Sequence, residues 1–411
     1  MLTAVIVAFV PQYLSNGGLL GTNCLEPTLW MGCVYFAILA LKRADHRYWL
    51  WFGVIAGIAL EEKYSVIIFG FSIFVGLLLT EQRRVLLNKW IWLGGLSAVL
   101  IFLPNVLWNL HYDWPFIQLM RAIRAEGRDV VLGPADFFFQ QVLSVGPLVA
   151  PVWLTGLFAL LFSKRLRPYR VFGWSYLVCY AAFFLLHGKT YYLLPIYPVL
   201  LAAGAVVIDS ALDAWIHGRA SVAWLKPAIV VLLVVNGLYL SPIVVPILSP
   251  DNFLAYAKQL PFKLPVMEHS HARAALPQWY SDQFGFKEIA DAAEVAWNLI
   301  PPEDRADCGI FGQDYGQAGA VDFFGRAHGL PGALSGDRTY FLWGPGPYSG
   351  NCMIVLDDNR ETLERLWTDV QYVGTSVTNP YALEGPVDVF ICKHKKFDSW
   401  AGLWPKLKRW R

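Results

Sequence analysis

Nine apolar segments succeed one another in the first 245 residues, most of them near the length at which a helix crosses a lipid bilayer. They are 2–20, 25–41, 48–60, 64–80, 90–108, 136–162, 169–187, 191–209 and 222–245. A bilayer core takes about 20 mainly apolar residues as helix, with a working range of about 17–25. Lipid offers the backbone no hydrogen bonds, so a spanning chain must satisfy its polar groups within its own helices. The sequence therefore predicts an α-helical polytopic membrane bundle of about nine helices. The first segment has neither a basic n-region nor a small-residue cleavage site, so it reads as a span and not a signal peptide. The 48–60 segment is too short to span alone. It runs into Glu61-Glu62-Lys63, so part of it is expected to line a polar cavity.

Charge separates the bundle from the rest of the chain. Residues 1–245 carry 17 Lys/Arg and 11 Asp/Glu, whereas residues 246–411 carry 16 and 20. The shorter stretch is about twice as densely charged and matches an ordinary soluble domain. The expected organisation is a membrane domain over 1–245 and an extracytoplasmic α/β domain over 246–411. A net charge of +2 gives no nucleic-acid footprint. Six cysteines, Cys24, Cys33, Cys179, Cys308, Cys352 and Cys392, show no metal-ligand spacing and read as buried thiols.

Orientation follows from the basic residues of the short loops. Lys42, Arg43 and Arg47, then Arg83, Arg84 and Lys89, then Lys164, Arg165, Arg167 and Arg170, then Arg219 and Lys226 occupy alternate loops. With these inside, nine crossings place residues 246–411 outside the plasma (inner) membrane. The outer loop 109–135 is itself amphipathic. Trp114, Phe116, Ile117, Leu119, Met120 and Ile123 alternate with Arg121, Arg124, Glu126 and Arg128, a pattern suited to the headgroup level. It reads as a surface helix covering the bundle, or as a lid that touches a lipid phosphate.

In the tail, Phe286–Ile300 has helical spacing and stops at Pro301-Pro302, and Gly316–Phe324 is also helical. Cys308–Phe311, Cys352–Leu356, Tyr372–Val377 and Val387–Cys392 read as strands, Arg360–Val370 as a helix, and 325–350 as loop. Strands alternating with helices suggest a small α/β domain.

The outer helix ends gather Glu26, Glu61, Glu62, Lys63, His111, His187 and Lys189. Ionisable groups at a bundle's edge are costly and are functional candidates for that reason, although each could simply snorkel to the interface. Carboxylates, ammoniums and imidazoles on one side suit an anionic, lipid-linked substrate. Without thiolates, the Glu/His set also suits a divalent metal ion that prefers oxygen or is borderline. The most distinctive string is His187-Gly188-Lys189-Thr190-Tyr191-Tyr192-Leu193-Leu194-Pro195, continuing to Tyr197-Pro198. Lys189 offers three donors to a phosphate, and Tyr191 and Tyr192 suit the headgroup belt. Pro195 and Pro198 loosen the next helix and free backbone groups.

The Lys189–Pro198 string, the Gly57…Glu62-Lys63-Tyr64 segment and the Leu103-Pro104-Asn105-x-x-Trp108 helix end resemble family 39 glycosyltransferases. These include bacterial relatives of protein mannosyltransferases and of the aminoarabinose transferase of lipid A. Val130–Pro134, Tyr315-Gly316-x-x-Gly319-Ala320 and Leu342-Trp343-Gly344 extend the similarity to one bacterial branch, over almost the whole chain. The resemblance implies a GT-C-like fold and a donor sugar on a polyprenyl phosphate. It implies transfer to a lipid, glycan or protein acceptor at the outer face, by inverting displacement. Glu26, Glu61 and Glu62 are then the catalytic carboxylates, and Lys63, His111, Lys189, Tyr191 and Tyr192 the phosphate-binding groups. The family carries additional N-terminal helices and an acid in its first outer loop, which have no counterpart here. Asn23 stands where a carboxylate is usual, with Glu26 one helical turn on. A catalytically inactive scaffold or lipid-binding relative is therefore the alternative. A transporter is disfavoured because no internal repeat is evident.

Overall fold

The computed structural model describes residues 2–127, 131–217, 224–261 and 275–410. Arg128, Val130 and Arg219, which belong to the patterns read from the sequence, lie outside the described residues. The chain divides into two compact units, 1–108 with 130–249, and 109–129 with 250–411.

The first unit is helical. In chain order it holds α1 (Leu2–Phe9), α2 (Pro11–Gly18), α3 (Glu26–Arg43), α4 (Tyr48–Glu62), α5 (Ser65–Leu78) and most of α6 (Lys89–His111). The amphipathic α7 (Pro115–Ala125) belongs to the second unit. The first resumes with α8 (Pro134–Val145), α9 (Ala150–Phe162), α10 (Arg170–Leu185), α11 (Tyr197–Ile216) and α12 (Leu225–Leu240).

Three of these runs, Lys89–His111, Thr190–Ile216 and Leu225–Ile243, are long and apolar enough to cross a membrane singly. Two bent pairs would raise the number to five. Nine spans are thus more than length and composition support among the described residues, and the departures have local causes. Pro11 opens α2, and its ring and missing N–H break the helix that 2–20 would otherwise form. The 136–162 segment is not one helix. α8 and α9 meet at 112°, where Gly146 takes φ +105, a conformation open to a residue without Cβ.

Helices in lipid gain little from burying apolar surface, so close backbone approach through small residues drives their association. α9 and α11 pack in this way. A Cβ on Gly156 would stand 1.9 Å from the Leu200 carbonyl oxygen, and one on Gly204 would stand 1.9 Å from that of Val152. α4 and α6 touch likewise at Gly53 and Gly94, where a Cβ on Gly53 would fall 1.9 Å from the Gly94 oxygen. Around these contacts Trp30, Trp49, Trp153, Phe69, Phe172 and Tyr197 fill the core.

The second unit contains α7 and then α13 (Pro250–Ala257), α14 (Gln278–Ser281), α15 (Phe286–Asn298), α16 (Tyr315–Phe324), α17 (Arg338–Trp343), α18 (Arg360–Leu366) and α19 (Trp400–Leu403). Its five-stranded sheet has the order β2-β1-β3-β5-β4. β1 (Cys308–Phe311) runs parallel to β2 (Ala333–Leu334) and β3 (Cys352–Leu356); β4 (Trp367–Thr375) and β5 (Asp388–Lys395) are antiparallel additions. Three expectations change. The 325–350 stretch is not all loop, since Ala333 and Leu334 are buried as β2 beside β1 and α17 follows at Arg338–Trp343. The helix from Arg360 ends at Leu366, and Trp367–Thr375 is strand, because Trp367 and Val370 are buried against the sheet. Cys308 and Cys352 are not thiols: they face each other in the β1–β3 register and form a disulfide. Cys24, Cys33, Cys179 and Cys392 remain free.

Gly204→Ala should cost about 1–3 kcal/mol, since its methyl group has no room between two backbones. Gly95→Ala, with nothing within 4 Å of the new Cβ, should be neutral or slightly stabilising. Melting of the detergent-solubilised protein distinguishes them, and equal effects would refute the close α9–α11 approach.

Candidate functional site

The first turn of α3 and the α4–α5 junction bring the central charges together. Pro27 stands within the first two positions of α3 with Glu26 in its first turn, where both proline geometry and the helix dipole favour them. Lys63 caps α4 in an extended conformation, which turns the chain into α5 at once. Its Nζ donates to Glu26 Oε2 at 2.9 Å and also to Asn23 Oδ1. Ser65 Oγ donates to the other Glu26 oxygen. Glu26 is 2% exposed and the Lys63 side chain 15%, so the charges are nearly out of water and depend on each other. Removing one partner of such a pair leaves an uncompensated charge, which is far worse than removing both.

Two tyrosines close the other side of Lys63. Its ammonium stands 4.3 Å from the Tyr192 ring centre and 5.3 Å from that of Tyr191; both faces attract a cation. The rings meet edge-on at 4.9 Å. They sit on a 3-10 turn, Thr190–Ile196, whose freed carbonyls find side-chain partners. Gln141 Nε2 donates to Thr190 O at 2.9 Å and Tyr13 Oη to Leu194 O at 2.8 Å. Tyr197 Oη donates to Gln141 Oε1 at 3.0 Å and shares a hydrogen bond with Tyr176 Oη at 3.1 Å. This buried network fixes the turn that aims Tyr191 and Tyr192. Lys189, just before the turn, is exposed and close enough to Lys63 for their charges to repel.

Glu62 behaves differently from Glu26. Its Oε1 accepts from the Leu25 N–H at 2.9 Å, while Oε2 is buried with no hydrogen-bond partner among the described residues. Glu61 turns to another set: Asn105 Nδ2 approaches its Oε2 at 3.4 Å, and Tyr64 Oη donates to Asn105 Oδ1 at 2.9 Å.

Asn23, Glu26, Glu62, Lys63, Tyr191, Tyr192 and Lys189 thus come together within the first unit. His111 ends α6 and belongs to the second unit, its ring edge-on to Tyr112. Among the described residues no three of His, Cys, Asp and Glu gather suitably for a metal ion, and both oxygens of Glu26 are occupied.

Sequence reasoning missed Ser65 as the second partner of Glu26, and the Gln141–Tyr197–Tyr176 network. A lone polar residue in an apolar run was the available signal for Gln141. It also missed a polar cluster in the tail, where Asp314, Asp357 and Asp358 follow β1 and β3. Gln317 Nε2 donates to Asp357, Gln313 Nε2 to Asp358, and Arg409 to Gln313. Burial pushes the Asp314 and Asp358 carboxyls above the usual carboxylate range.

Lys63→Met should destabilise the protein by about 3 kcal/mol by stranding Glu26, and Glu26→Leu combined with Lys63→Met should recover most of that loss. Denaturation of the single and double variants measures the coupling, and strict additivity would mean that the pair is not an ion pair.

The comparisons with known proteins bear on this unit. No curated protein and no solved structure matches the chain. The family model described as dolichyl-phosphate-mannose-protein mannosyltransferase matches residues 1–108, about a quarter of the chain. The match takes in Asn23, Glu26, Glu61, Glu62 and Lys63, but neither the Lys189–Pro198 string nor the tail. With its apolar helices, the chain is a multi-pass membrane protein whose first 108 residues are similar to that family of membrane glycosyltransferases.

Proposed function

We propose that this protein is a membrane glycosyltransferase that moves a sugar from a polyprenyl-phosphate donor to an acceptor hydroxyl at the outer face of the plasma membrane. The family match over the segment that carries Glu26, Glu62 and Lys63 supports this reading. The carrying observation is the buried Glu62 Oε2, which has no hydrogen-bond partner among the described residues, beside a cationic, tyrosine-walled group.

In the reaction, the bond between the sugar's anomeric carbon and the phosphate oxygen breaks, and its electron pair stays on the phosphate. Lys189, with Lys63 behind it, stabilises the departing charge. The acceptor oxygen bonds to the anomeric carbon from the opposite face, and its proton passes to Glu62 Oε2. Glu26 orients Lys63 and does not take the proton, because both of its oxygens are engaged. Tyr191 and Tyr192 place the lipid-linked phosphate at headgroup depth.

A second reading has its own observation. Asn23 cannot act as a base, and its side chain is occupied by Lys63, which favours a lipid-binding relative without turnover. Transfer from a radiolabelled polyprenyl-phosphate hexose, with the protein in liposomes, decides between them. Glu62→Gln should lower kcat by about 100-fold or more while donor binding persists. Lys189→Ala should weaken donor binding roughly 10- to 150-fold, whereas Lys164→Ala should not. No turnover by the parent chain despite saturable donor binding would favour the lipid-binding relative.

The same proposal places residues 83–89 and 164–170 in the cytoplasm and 250–411 outside. The Cys308–Cys352 disulfide supports that side, since such bonds persist in oxidising compartments. Alkylation before and after reduction should find these two cysteines blocked in protein from intact membranes, and a tail protease site should be cut in unbroken spheroplasts. A reduced pair and a protected tail would reverse the topology.

A further inference from the structure

We infer that Gln141 is a positioning residue for the tyrosine wall over Lys63, acting through the backbone between Lys189 and Tyr191. Its bearing on donor binding rests on the reading of Lys63, Lys189, Tyr191 and Tyr192 as the groups that hold the donor phosphate.

The place of Gln141 in its helix argues for a role beyond packing. α8 buries one stripe, Phe137, Gln141 and Val145, spaced four residues apart along a single face. Gln141 is 1% exposed, at a position where leucine would fill the same stripe. An amide there is costly unless both of its ends are bonded. Both ends are bonded: Nε2 donates to the Thr190 carbonyl at 2.9 Å, and Oε1 accepts from Tyr197 Oη at 3.0 Å.

The polarity of this line is fixed from one end. A carbonyl can only accept, so the amide must turn its nitrogen to Thr190 and its oxygen to Tyr197. The Tyr197 hydroxyl is thereby committed as a donor, and the Tyr176 hydroxyl, 3.1 Å away, must donate to it. Tyr176 on α10, Tyr197 on α11 and Gln141 on α8 thus form one directed line that ends on the 190–196 turn. Tyr176 and Tyr197 are buried, and Trp153 packs edge-on against Tyr197 at 5.4 Å, so the line starts from packed core.

Its end point connects it with Lys63. Thr190 stands between Lys189 and Tyr191 in the chain, so the bonded carbonyl lies within two residues of Lys189, Tyr191 and Tyr192. The Tyr192 ring has Phe183 edge-on at 5.7 Å and the Lys63 ammonium 4.3 Å from its centre. The bond to Thr190 sets where that ring stands between them.

The test uses the full chain in liposomes with two variants. Gln141→Met keeps the side-chain length and removes both bonds, and Gln141→Asn keeps the amide but is one methylene too short. Trace acetylation read by mass spectrometry reports how well the tyrosines cover Lys63, with the exposed Lys164 as internal reference. Both variants should raise Lys63 labelling relative to Lys164 roughly 10-fold. They should weaken binding of a polyprenyl-phosphate hexose by a similar factor, with little change in kcat at saturating donor. In a cycle with Tyr192→Leu the losses in donor binding should be strongly non-additive, because Gln141 acts through that ring. Gly237→Ala, whose new Cβ would stand 2.5 Å from Phe9 Cβ between α12 and α1, should lower the melting temperature without changing Lys63 labelling. Labelling unchanged in both Gln141 variants would overturn the inference. So would labelling raised equally by Gly237→Ala, or additive losses in the cycle, either of which would mean general loosening of the bundle. A parent chain that binds no donor, with labelling that still responds to Gln141, would remove the donor reading and leave the positioning of the wall supported.

Discussion

A buried charge pair sets the terms for the bundle. Lys63 and Glu26 are almost fully removed from water, where an isolated charge would cost many kcal/mol. Several neighbours that the first unit supplies reduce that cost. Asn23 and Glu26 give Lys63 its oxygen acceptors, Ser65 takes the second Glu26 oxygen, and two tyrosine faces cover the remaining approach. The start of α3, the α4–α5 junction and the 190–196 turn are thereby committed to one another. A site that binds a phosphate gains from this arrangement, because its cation is held before the substrate arrives.

The tyrosine wall depends on a second, uncharged constraint. Pro195 prevents a regular helix where the turn lies, and each freed carbonyl must be satisfied away from water. Gln141 and Tyr13 do so from α8 and α2. The glycine contacts of α9 with α11 keep the elements around this network close enough for such short side chains to reach. Packing through missing side chains and hydrogen bonding through buried ones thus serve the same end.

The second unit is organised by its sheet. Three parallel strands carry a disulfide at the starts of β1 and β3 and a carboxylate-rich cluster after their ends. The inclusion of α7 is the less obvious feature, since it lies far from the tail in sequence. Its link is local and specific, the Gln118–Trp410 hydrogen bond.

Much of this was legible in the residues alone. Apolar run length announced a membrane bundle, Pro301-Pro302 lies just beyond the end of α15, and strand-length apolar runs located β1 and β3. The Glu62-Lys63 and Lys189–Tyr192 strings pointed to side chains that do meet. What the sequence could not supply was pairing across distance. A run such as 136–162 has the composition of one span, yet Gly146 allows a sharp bend that composition does not register. Trp367–Thr375 carried part of a helical pattern, and burial against the sheet made it a strand. Cys308 and Cys352 lie 44 residues apart, and only the β1–β3 register makes them a pair. Three similar-looking carboxylates in sequence became three different groups: Glu26 neutralised, Glu61 tied to Asn105, and Glu62 with one buried oxygen that has no hydrogen-bond partner among the described residues. Helical and strand periodicity are local properties written in neighbouring residues, whereas which acid meets which cation is decided by the packing of segments far apart in the chain.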